Sequence, residues 1–205
     1  MAERTEADRE PADLSPGRRL RADAERNRTR LLDAARSAFA SGQSSVPLDQ
    51  IARDAGVGIG TLYRHFPTRE ALVEALYRKE LDDLCASAAA LLATRSPQRA
   101  LRAWMDRFAD YVAAKREMAD ALRAVYASGA VSVSQARGRL TAAVQVILDA
   151  GRADGTLRDD VRADDVVAMI VGMFTATSTD GGREQLERMF ELLLQAVQRP
   201  GTASA

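Results

Sequence analysis

Apolar positions recur at helical spacing along nearly the whole chain, and no stretch sustains the alternation of a half-buried strand. A first helix is predicted from about Ala24 to Ala40. Leu31, Leu32, Ala35, Ala38 and Phe39 form one stripe there, and Gly42 suits the position just past its end. A loop from Gln43 to Pro47 leads into a second, short helix through Leu48, Ile51, Ala52 and Ala55. Gly56 and Gly58 then permit a sharp turn. A third short helix carries Gly60-Thr61-Leu62-Tyr63-Arg64-His65-Phe66, and Pro67 ends it by disfavouring the α conformation at Phe66. Thr68 is a good N-cap for the fourth helix, and Glu70 sits where the helix dipole favours a carboxylate. Leu72, Val73, Leu76, Tyr77, Leu81, Leu84, Ala88, Leu91 and Leu92 keep one face of that helix apolar to about Ala93. Amphipathic segments follow at about 97–115, 117–128, 132–150, 163–178 and 182–198. They are separated by Pro97, Gly129, the Gly151–Gly155 loop and Gly181-Gly182. The expected fold is all-α, with about nine helices.

Residues 1–17 are polar and acidic, contain Pro11 and Pro16, and lack apolar periodicity, so they read as a disordered tail. Residues 199–205 read the same way. Between them the pattern divides into a compact three-helix unit over 18–67 and a longer helical bundle over 68–198.

Composition changes this picture little. Apolar residues make up 46% and charged residues 28%, ordinary for a soluble globular protein. With no long uncharged apolar stretch and a charged N-terminus, neither a membrane span nor a secretory signal is expected. Cys85 is the only cysteine, which excludes an intrachain disulfide and suits a reducing cytoplasm. It reads as a half-buried helix residue rather than a reactive thiol. Charge changes the picture more. The net charge is zero, but from Arg18 to Arg69 ten arginines face five carboxylates, a local net of +5 balanced by −5 elsewhere. That asymmetry predicts a basic surface for phosphates on a neutral-to-acidic body.

Two short helices joined by a glycine turn and braced by a preceding helix make a helix-turn-helix. Ile51, Ala55, Val57, Leu62 and Phe66 supply its small core, and Ala52 lets the third helix cross closely. Gly56 can take a positive φ at the turn. The outward residues of the third helix are then Thr61, Tyr63, Arg64 and His65, with Ile59 and Gly60 at its start. A helix of this size fits the major groove of a duplex and meets base edges with its N-terminal residues.

The run Ile51-Ala-Arg-Asp-Ala-Gly-Val-Gly-Ile-Gly-Thr-Leu-Tyr-Arg-His-Phe-Pro-Thr-Arg-Glu-Ala-Leu resembles the DNA-binding signature of the TetR family of transcriptional regulators. The resemblance covers residues 24–75 tightly. Beyond it, Gly155-Thr-Leu-Arg-Asp-Asp-Val followed by Asp164-Asp165-Val166 is similar to the SbtR-like type of C-terminal domain. The resemblance implies a repressor that is released from a palindromic operator by a small-molecule effector and is dimeric through its last two helices. It further implies that Tyr63 and His65 hold operator phosphates, and that Gly60 and Thr61 open the groove-facing helix. Arg64 reaches a base or a phosphate, and Thr68 and Arg69 clamp a phosphate. Two departures stand out. Val46-Pro47-Leu48 replaces a hydroxyl at the start of the second helix, so Leu48 offers only main-chain N–H there. Ile59 stands where many relatives carry a lysine. For Arg18, Arg19 and Arg21 the alternatives are a minor-groove arm and a solvated tail.

In the C-terminal half, Trp104, Phe108 and Tyr111 sit at helical spacing, as do Met169, Met173 and Phe174. They read either as plain core or as the lining of a mostly apolar effector pocket. Val166, Val167, Ile170 and Phe174 repeat on one face, and Leu186, Met189, Phe190, Leu193 and Val197 on another. These faces are either buried within one protomer or form a two-fold interface; a homodimer with two half-sites favours the latter. Two other classes compete with the regulator. An all-α enzyme lacks a nucleophile–base set, a phosphate loop or a ligand cluster, and a single histidine gives no metal site. A helical protein-interaction module is the other. The expected partners are double-stranded DNA, a small-molecule effector and a second copy of the chain, with no cofactor and no membrane.

Overall fold

Leu31, Leu32, Ala35 and Phe39 are all buried, and they pin the first helix against the elements that follow. The computed structural model describes residues 16–40, 46–177 and 182–201. Among these residues the chain forms nine α-helices: α1 Pro16–Ala40, α2 Leu48–Asp54, α3 Ile59–His65, α4 Arg69–Leu92, α5 Pro97–Glu117, α6 Ala119–Ala127, α7 Val133–Ala153, α8 Ala163–Ala176 and α9 Gly182–Val197. The all-α expectation holds. Gly42, most of the 43–47 loop, the tail up to residue 15 and residues 202–205 lie outside the described residues.

Helix α1 begins at Pro16 rather than near Ala24. Its first turns carry Arg18, Arg19 and Arg21, all exposed, and Leu20, which is 70% exposed. They touch no core, so apolar periodicity could not reveal them. Proline in the first turn and arginines after it suit a helix on propensity alone. The three arginines therefore sit exposed on the first turns of α1.

The small core of α1–α3 is the one the sequence required. Ile51, Ala52, Ala55, Leu62 and Phe66 are buried, and Val57 packs beside them. Gly56 has φ +66°, a conformation an L side chain adopts only at a cost. The Thr68 hydroxyl accepts the Ala71 N–H at 3.1 Å and caps α4.

Helix α4 is the spine of the molecule. It packs on α1 on one side and on α5, α6 and α7 on the other, with α8 and α9 closing the bundle against α5 and α7. Trp104 is fully buried on α5, and its indole N–H donates to the Leu84 carbonyl at 3.1 Å. Gly151 allows the loop after α7 to fold back: a Cβ there would meet Leu157 Cγ at 2.3 Å. That loop is tied to the end of α9 by Arg158 N–H to the Val197 carbonyl (3.0 Å) and Arg199 N–H to the Thr156 carbonyl (3.0 Å). No helix among the described residues is long and apolar enough to cross a membrane.

The proposed dimer stripe is corrected by burial. Val166, Ile170, Phe190, Leu193 and Val197 lie inside the protomer, and Leu186 and Met189 are half-buried at its edge. The strongest apolar periodicity of an outer helix marks the face that serves its own core. Among the small and apolar residues that α8 and α9 leave outward are Ala168, Met169, Val171, Gly172 and Ala176 on one helix, and Leu192 and Ala196 on the other. Met169 is 48% and Leu192 64% exposed.

Candidate functional site

Burying Leu62 and Phe66 on the inner side of α3 turns Ile59, Gly60, Tyr63 and Arg64 to the outside. Tyr63 is 49% exposed, and Thr61 and His65 flank this face half-buried. Helix α3 contains no acidic residue. The carboxylates of neighbouring α2 are engaged: Asp49 pairs with Arg53 at 2.8 Å, and Asp54 accepts from Gln50 at 2.7 Å. The outer face of α3 thus presents a hydroxyl, an imidazole and a guanidinium without competing anions, the chemistry a phosphate backbone and base edges accept.

The other predicted contacts divide. Thr68 is exposed, and its hydroxyl keeps a proton to donate after capping α4. Leu48 is half-buried with its side chain against the core at the start of α2, where Pro47 provides no side-chain cap. Arg69 is corrected. Its Nη1 donates to the Val46 carbonyl at 2.6 Å, and its guanidinium lies 5.3 Å from the Phe39 ring centroid. It ties the start of α4 to α1 and to Val46, two residues before α2, which takes it away from a phosphate. The sequence reading missed Arg28 on α1. Its guanidinium sits 4.7 Å from the centroid of Phe66, the residue that ends α3.

A second site lies in the helical bundle. A cavity of about 540 Å³ opens between α4, α5, α6, α7 and α8. Of the six residues expected to line it, Phe108, Tyr111 and Phe174 do. The other three do not. Trp104 stands behind Phe108 with ring centroids 5.7 Å apart, Met173 is buried in the core, and Met169 points outward. Tyr77 and Tyr126 line the cavity and were not foreseen. The three tyrosines cluster, with ring centroids 6.2 Å apart for Tyr77–Tyr111 and 6.1 Å for Tyr77–Tyr126. Burial pushes the Tyr111 phenol up to about 12 and raises Tyr77 as well, aided by the neighbouring hydroxyls, so these two act as neutral phenols. Cys85 is half-buried, and burial raises its thiol, the condition of an unreactive cysteine.

A basic three-helix head presenting one exposed short helix, joined through a long helix to a bundle with an internal cavity, defines a helix-turn-helix transcriptional regulator. Residues 31–76 match the model of the bacterial regulatory proteins of the tetR family, and residues 96–198 match that of the SbtR-like transcriptional regulator C-terminal domain. The chain belongs to the TetR family of transcriptional regulators. It is similar to a TetR transcriptional regulator from Streptomyces coelicolor of known crystal structure. The two are 45% identical with a TM-score of 0.75, over 85% of this chain and 99% of that one. A TetR regulatory protein from Mycobacterium vanbaalenii is 33% identical with a TM-score of 0.70, over 88% and 99% of the two chains. An HTH-type transcriptional regulator of Staphylococcus aureus is 36% identical over 64 residues, which is 31% of this chain and 35% of that protein. The match to the curated relatives therefore spans about a third of their length.

Proposed function

We propose that the protein is a homodimeric repressor that holds a palindromic operator and is released by a small molecule entering the bundle cavity. The observation that carries this reading is the outward face of α3, where Tyr63 and Arg64 are exposed while Leu62 and Phe66 anchor the helix from beneath. In the bound state two such helices enter successive major grooves about 34–36 Å apart. Tyr63, His65 and Thr68 hold phosphates, and Gly60, Thr61 and Arg64 face the bases. Leu48 contributes through its main chain. The outward face of α8 and α9, with Met169, Gly172 and Leu192, meets its two-fold mate.

The cavity and the reading head share one element. Tyr77 lines the cavity from α4, and Thr68 caps the same helix directly after α3. They stand nine positions apart, about 13.5 Å of helix. A ligand that displaces Tyr77 tilts α4 and changes the separation of the two α3 helices. Effector and operator are then antagonists by linkage.

The test begins by selecting fragments of the source genome on the purified protein. A selected fragment is then titrated at increasing salt. Affinity falling steeply with salt supports phosphate neutralisation by the head. Failure to enrich any fragment, or an affinity indifferent to salt, overturns the reading.

A further inference from the structure

The chemistry of the cavity rim narrows the effector to one class. The floor is apolar and aromatic: Phe108, Tyr111, Leu122 and Phe174 are all buried. The rim carries Lys115, Arg116, Arg123 and Arg137, and among the described residues no aspartate or glutamate lines the cavity. The chain has as many acidic as basic residues, 29 of each, so four cations without one carboxylate is a local segregation and not a reflection of composition.

Two of these cations are already engaged. Arg116 donates through Nη2 to the Phe174 carbonyl at 2.9 Å, and Arg123 pairs with Asp120 outside the cavity. Lys115 and Arg137 have no ion-pair partner among the described residues. The half-buried Lys115 ammonium sits 5.5 Å from the Tyr126 ring centroid. The Tyr126 hydroxyl is itself buried, beside that of Tyr77. An apolar chamber with spare positive charge at its mouth and buried phenol hydroxyls within it is complementary to a molecule that is greasy at one end and anionic at the other.

We propose that the cavity binds an amphipathic carboxylate, its hydrocarbon or aromatic body on the Phe108–Phe174 floor and its carboxylate between Lys115 and Arg137. This rests on the regulator reading only in assigning the ligand a regulatory role; binding itself is independent of DNA. The cavity volume, about 540 Å³, is within the range of small-ligand sites. A charge-assisted contact of this kind is worth roughly one to two orders of magnitude in affinity.

The experiment is isothermal titration calorimetry of the full-length protein without DNA. The probes are decanoate and 1-naphthoate, their neutral counterparts 1-decanol and 1-naphthylmethanol, and the decyltrimethylammonium cation. At least one acid should bind about tenfold or more tighter than its alcohol, and the cation should bind far more weakly. Lys115→Met and Arg137→Gln should each erase most of that advantage while leaving the alcohol's affinity in place. Circular dichroism checks that both variants are folded. Equal binding of acid and alcohol, binding of the cation as well as the acids, no heat from either acid, or indifference of both variants overturns the proposal. Any of these leaves operator binding untouched as a separate result. Conversely, a protein that takes up an acid but enriches no DNA overturns the regulator reading alone.

Discussion

The guanidinium of Arg28 lies 4.7 Å from the ring centroid of Phe66, joining the middle of α1 to the last turn of the reading helix. Phe66 is 1% exposed, so the arginine covers its ring rather than leaving it to water. Arg28→Ala should cost about 0.5–1 kcal/mol in denaturant unfolding, the usual worth of such a stack. Phe66→Ala, which opens a cavity, should cost about 3–5 kcal/mol. Equal losses would mean that the stack, not the buried ring, holds the head together.

Tyr63→Phe removes one hydroxyl from an exposed ring. Its unfolding free energy should stay within about 0.5 kcal/mol of the parent. Its affinity for a selected operator should fall about tenfold or more, as expected for a lost charge-assisted bond to phosphate. Fluorescence anisotropy of labelled operator across a salt series measures this. An unchanged affinity would remove Tyr63 from the interface.

Met169→Glu and Leu192→Glu place charge on the outward face of α8 and α9, and both should yield folded monomers in sedimentation analysis. Leu193→Glu, at a position only 2% exposed, should instead unfold the chain. If the two outward variants sediment as the parent does, the copies meet elsewhere.

Glu80 lies buried on α4, 3.2 Å from Arg36 Nε on α1. Burial raises its carboxyl above the ordinary value, more than the Arg36 charge lowers it. The folded state therefore binds this proton more tightly than the unfolded chain does. The stability tied to it is full below the ordinary glutamate range and declines as pH rises through the raised value. Glu80→Gln should flatten that part of the stability profile and leave the protein at least as stable at neutral pH. Arg36→Ala, which withdraws the compensating cation, should steepen it. Thermal melts from pH 4 to pH 8 read both slopes.

The head was legible because its determinants are local. Gly56, Leu62, Phe66, Pro67 and Thr68 set the turn, the inner face, the stop and the next cap within a few residues, and each does so in the structure. Arg69 was misjudged because its direction depends on a carbonyl at Val46, 23 positions away. The outer helices show a related difficulty. Periodicity says that Ile170 and Leu193 need cover, but not whether the same chain provides it. Met169 and Leu192, which remain outside, belong to no strong stripe. The cavity was half visible. Phe108, Tyr111 and Phe174 sit on its wall, whereas its cations come from three separate helices and converge only on folding. The start of α1 lay outside the expected helix because Gly17 to Arg21 are all exposed.

The chain's sole tryptophan, Trp104, sits sealed in the interior one ring behind the chamber wall, while α3 holds only a tyrosine. The molecule thereby carries its own optical label. Indole emission will respond to filling of the chamber through Phe108, with no dye attached, and a duplex docking on α3 will leave it nearly silent. Occupancy of the two sites can be followed separately in one cuvette.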